Sequence, residues 1–145
     1  VILMGGSVGA IAAAGVATQL KEKGADGLIL LSPWMPPKDK WPIPSFVFSS
    51  DFAISSWPDL AAIKGPILVI HHLDDVCNFS LPEYVPGLVK ALSVASPPEV
   101  IGLRGGAVPS GNPCYPTGLN NFTGMEREIS DLIGNWIRKA FKLGA

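Results

Sequence analysis

The residues Gly5-Gly6-Ser7-Val8-Gly9 place a serine between two glycines in a motif of the form G-x-S-x-G. The motif follows the apolar run Val1–Met4 and overlaps an Ala-rich stretch, Val8–Lys23, which lacks proline and stops at Gly24. This pattern predicts a strand, a sharp turn and a helix, with Ser7 projecting at the carboxyl end of the strand. A serine held in that position can act as a nucleophile in acyl transfer.

The first N–H groups of a helix have no partner inside the helix and carry its positive dipole end. The Val8 amide is therefore the expected donor to an oxyanion formed when Ser7 attacks. The other interpretation is a tight strand–helix turn whose small residues serve packing alone. The sequence disfavours a phosphate-binding loop because no Lys-Ser/Thr pair follows the glycines, and the glycine spacing does not fit a dinucleotide-binding motif.

The rest of the chain alternates between apolar runs and helical stretches. The further apolar runs are Gly27–Leu31, Pro66–His71 and Glu99–Leu103, and the further helical stretches are a short turn at Asp59–Ile63, Leu81–Leu92 with Pro86 inside it, and Gly124–Lys142. This alternation predicts an α/β fold with a mainly parallel sheet of about four strands flanked by helices. Because no repeat or linker interrupts the pattern, we expect residues 1–145 to form one domain.

The segment from Ile70 to Asp75, Ile-His-His-Leu-Asp-Asp, resembles the strand end His-Gly-x-x-Asp of the α/β-hydrolase superfamily. The stretches Asp59–Ile63, His71–Cys77 and Gly105–Cys114 are similar to a group of largely uncharacterised bacterial members. The resemblance extends to Trp136 and implies half of an α/β-hydrolase fold, from the serine motif onward. It implies a serine hydrolase that acts on small esters or similar acyl compounds.

The same resemblance assigns an acidic residue. In this superfamily the catalytic residues follow one another in the order serine, acid, histidine. Asp75, four residues after His71, would be the acid that orients the histidine, and Asp74 is the second candidate. The alternative is that both aspartates only cap the loop or the helix that follows it.

The resemblance fails at the expected general base. Where the family has His-Gly-Phe, this chain reads Asn120-Asn121-Phe122. Asparagine cannot accept a proton from Ser7 near neutral pH, so we expect weak turnover or none. His71 or His72 could serve as a substitute base; the alternative is that each is satisfied by a backbone group or a carboxylate.

The chain contains two cysteines, Cys77 close after Asp75 and Cys114 six residues before Asn120. In the fold that the resemblance implies, both loops meet at the same end of the sheet, and a disulfide between them is reasonable. Such a bond would indicate a periplasmic or secreted protein, and two free thiols would indicate a cytoplasmic one.

Composition restricts the partners. The net charge is −1 with no run of like charges, which indicates neither nucleic acid nor an anionic membrane surface as a partner. No apolar stretch is long enough to span a bilayer. No cysteine, histidine or asparagine pair has the spacing of a metal site, so we expect neither metal nor cofactor. The tryptophans Trp34, Trp41 and Trp57 lie in a long loop, where they either pack or line an acyl pocket.

Two features favour a second function, a non-catalytic binding or assembly module that keeps the fold. One is Asn120 at the base position. The other is the strand Val1–Met4, whose outer edge is expected to be unpaired because the family's earlier strands and second oxyanion loop are absent. Unpaired apolar edges are normally covered. We expect an upstream segment or a second copy of this chain to cover this one.

Overall fold

A computed structural model describes residues 1–20, 25–35, 60–93 and 96–143 of the chain. Within these ranges, four strands form one parallel sheet in the order β1 (Ile2–Gly6), β2 (Gly27–Leu31), β3 (Ile67–His72) and β4 (Glu99–Leu103). Three α-helices of the described residues accompany them: α1 (Val8–Leu20), α2 (Val85–Leu92) and α3 (Glu126–Ala140). Short 3-10 helices lie at Leu60–Ala62, Pro82–Tyr84 and Leu119–Asn121. The predicted α/β class with a parallel sheet of four strands is confirmed.

The helices cover both faces of the sheet. Side chains alternate between the faces along each strand. Leu30 and Val69 pack with α1 and α2, whereas Ile29, Leu68 and Ile70 pack with α3. With both faces covered, β3 is buried along its whole length, as is usual for a central parallel strand.

Most described element boundaries follow the sequence to within two residues, with one larger correction. β2 and β4 have the predicted limits, and β1 continues two residues further, to Gly6. The predicted helix over 81–92 is wrong in its first turn, because a 3-10 helix precedes α2. Pro86 has no N–H to donate and fits only the first turn of a helix, so α2 begins at Val85. The predicted end of the first helix near Gly24 lies outside the described residues.

β1 lies at one edge of the sheet, and no strand within residues 1–20, 25–35, 60–93 and 96–143 pairs with its outer side. Met4 is 58% exposed there, and Val1 just before the strand is 82% exposed. The expectation that another segment or chain covers this edge stays a prediction.

Candidate active site

Ser7 lies in the turn that joins β1 to α1, here called the Ser7 turn (residues 6–8). Its N–H donates to the carbonyl oxygen of Leu31 at 2.8 Å, which continues the β1–β2 ladder by one residue. Its φ of 52° lies in the left-handed region, which costs a non-glycine residue about 1–3 kcal/mol. The packing around the turn must offset that strain. The hydrogen bond to Leu31 fixes Ser7 against β2, and α1 begins at the next residue.

Gly5 permits the close approach of α1 to β1. A Cβ atom at this position would lie 2.2 Å from the carbonyl oxygen of Gly9 and 2.7 Å from the nitrogen of Ala10. Both atoms belong to the backbone of α1, so a side chain here would force the helix away from the strand. Val8 is the first residue of α1, and its N–H therefore belongs to the set that has no partner within the helix.

Asn120 is the residue that the structure brings to Ser7. It lies in the 3-10 helix Leu119–Asn121, is 2% exposed, and its Nδ2 donates to the Ser7 Oγ at 3.5 Å. The direction of this bond is set by neighbours. Asn121 Nδ2 donates both to the carbonyl oxygen of Tyr115 at 3.0 Å and to Asn120 Oδ1 at 2.8 Å. Asn120 must therefore turn its donor, and not its acceptor, toward the serine.

Asp75 is buried, but the hydrogen bonds of its carboxylate lie within its own loop. Oδ1 accepts from the Cys77 N–H at 2.9 Å, and Oδ2 accepts from the Ser80 hydroxyl at 2.6 Å. Burial raises the pKa of Asp75, while these two bonds and the charge of His72 act in the opposite direction. Asp74 is exposed and pairs with Arg104. The carboxylate of Asp75 therefore accepts two hydrogen bonds from its own loop, and its role as the acid or as a loop cap stays a prediction.

The two adjacent histidines occupy different environments. His72 Nδ1 accepts from the Asp74 N–H at 3.1 Å, and its Nε2 lies 3.0 Å from the carbonyl oxygen of Gly105. A carbonyl only accepts, so Nε2 carries the proton and both nitrogens are satisfied. His71 is 7% exposed, and its Nδ1 has no partner among the described residues. Burial, followed by the like charge of His72, lowers the pKa of His71.

A disulfide joins Cys77 to Cys114, with the two Cα atoms 4.9 Å apart. It connects the loop that follows β3 to the loop that leads to Asn120. The two loops that carry the expected acid and base positions are therefore joined by one covalent link, although no hydrogen bond between Asp75 and Asn120 is seen in the described part of the chain.

Sequence reasoning missed two serines at this end of the sheet. Ser80 donates to Asp75, and Ser32, directly after β2, is fully buried with a φ of 37°. Ser32-Pro33 had indicated only a strand end, and nothing in the sequence marks either serine. Trp34 stacks on Phe79 with 4.2 Å between ring centroids, which is a packing contact. Trp41 and Trp57 lie outside the described residues.

Within the ranges that the structure describes, no three His, Cys, Asp or Glu residues form a group able to hold a metal ion. In those same ranges, no helix is both long and apolar enough to cross a membrane.

Neither a protein-family model nor a curated protein matches the sequence. Solved structures do match. An esterase of Pyrococcus furiosus superposes with a TM-score of 0.59 at 16% identity, over 95% of this chain and 52% of that one. A carboxylesterase of Lactobacillus plantarum gives 0.59 at 16% identity, over 99% and 60%. An acylaminoacyl peptidase of Pyrococcus horikoshii gives 0.58 at 13% identity, over 99% and 24%.

The chain has an α/β-hydrolase fold. It spans about half the length of the two esterases and a smaller part of the peptidase, so it corresponds to part of each α/β-hydrolase. At these identities the similarity shows the fold and not the activity.

Proposed function

We propose that this chain carries the nucleophile of a serine hydrolase that acts on esters or similar acyl compounds, and that its turnover is slow. Ser7 would attack the acyl carbonyl carbon, and the Val8 N–H would donate to the oxyanion. One observation carries the proposal: Ser7 occupies a strained turn between a strand and a helix, with its Oγ 3.5 Å from the side chain at the expected base position.

Slow turnover follows from the orientation of Asn120. Its Nδ2 donates to the Ser7 oxygen, and an amide donor cannot remove the serine proton. General-base help contributes about 10²- to 10⁴-fold in rate, so most of that factor is missing here. Asp75 does not compensate, because among the described residues its carboxylate is hydrogen-bonded to Cys77 and Ser80 and to neither Ser7 nor Asn120.

The same observation favours a second function, a binding or assembly module without catalysis. A serine that only accepts a hydrogen bond from a buried amide can be a structural contact between the Ser7 turn and the 3-10 helix Leu119–Asn121. In that case the turn would be retained for packing, and the serine would not react with acyl or phosphonyl probes.

Labelling with a fluorophosphonate probe separates the two functions. In the full-length protein we expect slow modification that maps to Ser7 by mass spectrometry and disappears in Ser7→Ala. Asn120→His introduces a proton acceptor at the same place and should raise the labelling rate by about tenfold or more. The matched control is Asn135→His, because Asn135 is exposed on α3, and it should label at the wild-type rate.

Circular dichroism should show that all variants are folded. A folded Asn120→His variant and a folded wild-type protein that both leave Ser7 unmodified would reject the hydrolase and favour the binding module.

A further inference from the structure

Three side-chain polar atoms in the described part of the chain are buried without a hydrogen-bond partner: Ser32 Oγ, Trp34 Nε1 and His71 Nδ1. Buried polar groups are almost always paired, so each such atom calls for an explanation. Ser32 and His71 are more than nine-tenths buried, with 0% and 7% exposure. Both lie at the carboxyl end of the sheet, and neither has a part in the mechanism described above.

The strand register places Ser32 between Ser7 and His71. Gly6 pairs with Leu31, and Leu31 pairs with Ile70. The ladders continue one residue further, because the Ser7 N–H donates to Leu31 and the Ser32 N–H donates to Ile70, each at 2.8 Å. The next row of the sheet is therefore Ser7, Ser32 and His71.

Neighbouring positions in this row are separated by one strand spacing, about 4.8 Å. His71 also follows Val69 by two residues, so it lies on the face that α1 and α2 cover. In this structure the Ser32 hydroxyl is hydrogen-bonded to neither Ser7 Oγ nor His71 Nδ1, and the relay needs rotations of these side chains that bring it within reach of both at once.

The proton of Ser7 needs an acceptor other than Asn120, because Asn120 is itself the donor in their hydrogen bond. Ser32 offers a hydroxyl that can accept and donate at once. His71 offers a ring nitrogen with no competing partner among the described residues.

We propose that Ser32 and His71 form a proton relay that replaces the missing base, an inference that rests on Ser7 being the nucleophile. As the Ser7 oxygen bonds to the acyl carbonyl carbon, its proton passes to the Ser32 oxygen, the Ser32 proton passes to His71 Nδ1, and the carbonyl π electrons move to oxygen. When the bond to the leaving alkoxide breaks, His71 returns the proton through Ser32 to that alkoxide. Water then repeats the sequence, with Ser7 as the leaving group.

The surroundings of His71 keep it neutral and able to accept a proton. Burial and the like charge of His72 both lower its pKa below the usual 6.5. Its neighbours on the flanking strands, Ser32 and Gly102, carry no titratable group. Of the helices on this face, α1 has no titratable side chain, and α2 has only the exposed Lys90. Further titratable groups among the described residues are Glu83 and Tyr84 in the 3-10 helix that precedes α2, and Asp74 and Asp75 in the loop after β3, where Asp74 is paired with Arg104 and Asp75 is bonded to Ser80.

The test is the rate of fluorophosphonate labelling at Ser7 against pH, in the full-length protein. The wild-type rate should rise as His71 loses its proton, below pH 6.5, and then level off. Ser32→Ala and His71→Gln should each slow labelling by about tenfold and replace the plateau with a continuous rise with hydroxide. Because both act in one path, the double variant should be no slower than the slower single variant. Ser32→Ala removes an unpaired buried hydroxyl, so it should fold at least as stably as the wild type.

His72→Gln is the matched control, because His72 lies outside the row of Ser7, Ser32 and His71. Its ring nitrogens are hydrogen-bonded to the Asp74 N–H and the Gly105 carbonyl oxygen. It should keep the plateau, because it leaves both Ser32 and His71 in place. Wild-type rates in folded Ser32→Ala and His71→Gln would overturn the relay and leave Ser7 as a nucleophile. A wild-type protein that never labels at Ser7 would overturn both.

Discussion

The Ser7 turn and the 73–80 loop lie at the same end of the sheet but are built differently. At the turn, Ser7 has a positive φ, and on the adjacent strand the equivalent residue, Ser32, also has a positive φ and a buried hydroxyl without a described partner. In the loop, both oxygens of Asp75 are hydrogen-bonded, and Cys77 is in a disulfide. Ser7 and the adjacent Ser32 thus combine backbone strain with an unpaired hydroxyl, whereas the buried carboxylate of the loop is hydrogen-bonded through both oxygens.

This difference indicates which residues at this end of the sheet are suited to be reactive groups and which support the structure. Strain and unpaired polar atoms cost stability and persist where the surrounding structure enforces them, often at reactive positions. A carboxylate whose hydrogen bonds are all local holds a loop in place. The contrast therefore favours Ser7 and its row of neighbours for the proposed reaction, and the 73–80 loop for support.

The largest effect that tests this contrast is on the packing of the Ser7 turn. Gly5→Ala would place a Cβ 2.2 Å from the Gly9 carbonyl oxygen, and we expect the free energy of unfolding to fall by about 3 kcal/mol or more. Gly9→Ala is the matched control, because a Cβ there meets nothing within 4 Å. It should stabilise α1 by about 0.5–1 kcal/mol. Urea unfolding measures both, and equal stabilities for the two variants would show that the close approach does not exist.

The disulfide supplies a second test. Replacing Cys77 and Cys114 by alanine opens a loop with a sequence separation of 37, which in the chain-entropy model costs about 3–4 kcal/mol. Hydrogen exchange should become faster in the 73–80 loop and around Asn120, while the amides of α1 beyond its first turn stay protected. Loss of protection in α1 as well would mean that the two regions unfold together as one cooperative unit. An unchanged urea midpoint would mean that the bond does not stabilise the fold.

The fold and the site differ in how far the sequence predicts them. Apolar periodicity and turn residues are local signals, so β2 and β4 were predicted with correct limits. The position of Asn120 could be predicted because Asn120-Asn121-Phe122 stands where the family resemblance expects His-Gly-Phe. Ser32 and Ser80 could not be found, because a serine after a strand or in a loop is common, and only the register or the loop conformation gives it a neighbour. The partners of Asp75 escaped prediction for the same reason.

The smallest expected effect concerns Asp75. Burial raises its pKa in the folded chain, so between the unfolded and folded values the folded state binds more protons and stability falls as pH rises. Asp75→Asn keeps the shape, accepts from the Cys77 N–H, and can donate to the Ser80 oxygen. The variant should therefore gain stability relative to the wild type at neutral pH, and the gain should vanish as the pH is lowered through the folded pKa. Urea midpoints measured across that range check it.

The matched variant is Asp74→Asn. The Asp74 carboxylate is exposed and pairs with Arg104, so its loss should change the stability little at any pH. Labelling at Ser7 should also be nearly the same in Asp75→Asn and the wild type, because the Asp75 carboxylate bonds Cys77 and Ser80 and not the residue beside Ser7. A large loss of labelling in a stable Asp75→Asn variant would show instead that this carboxylate takes part in the reaction. The division of the site into a reactive turn and a supporting loop would then be wrong.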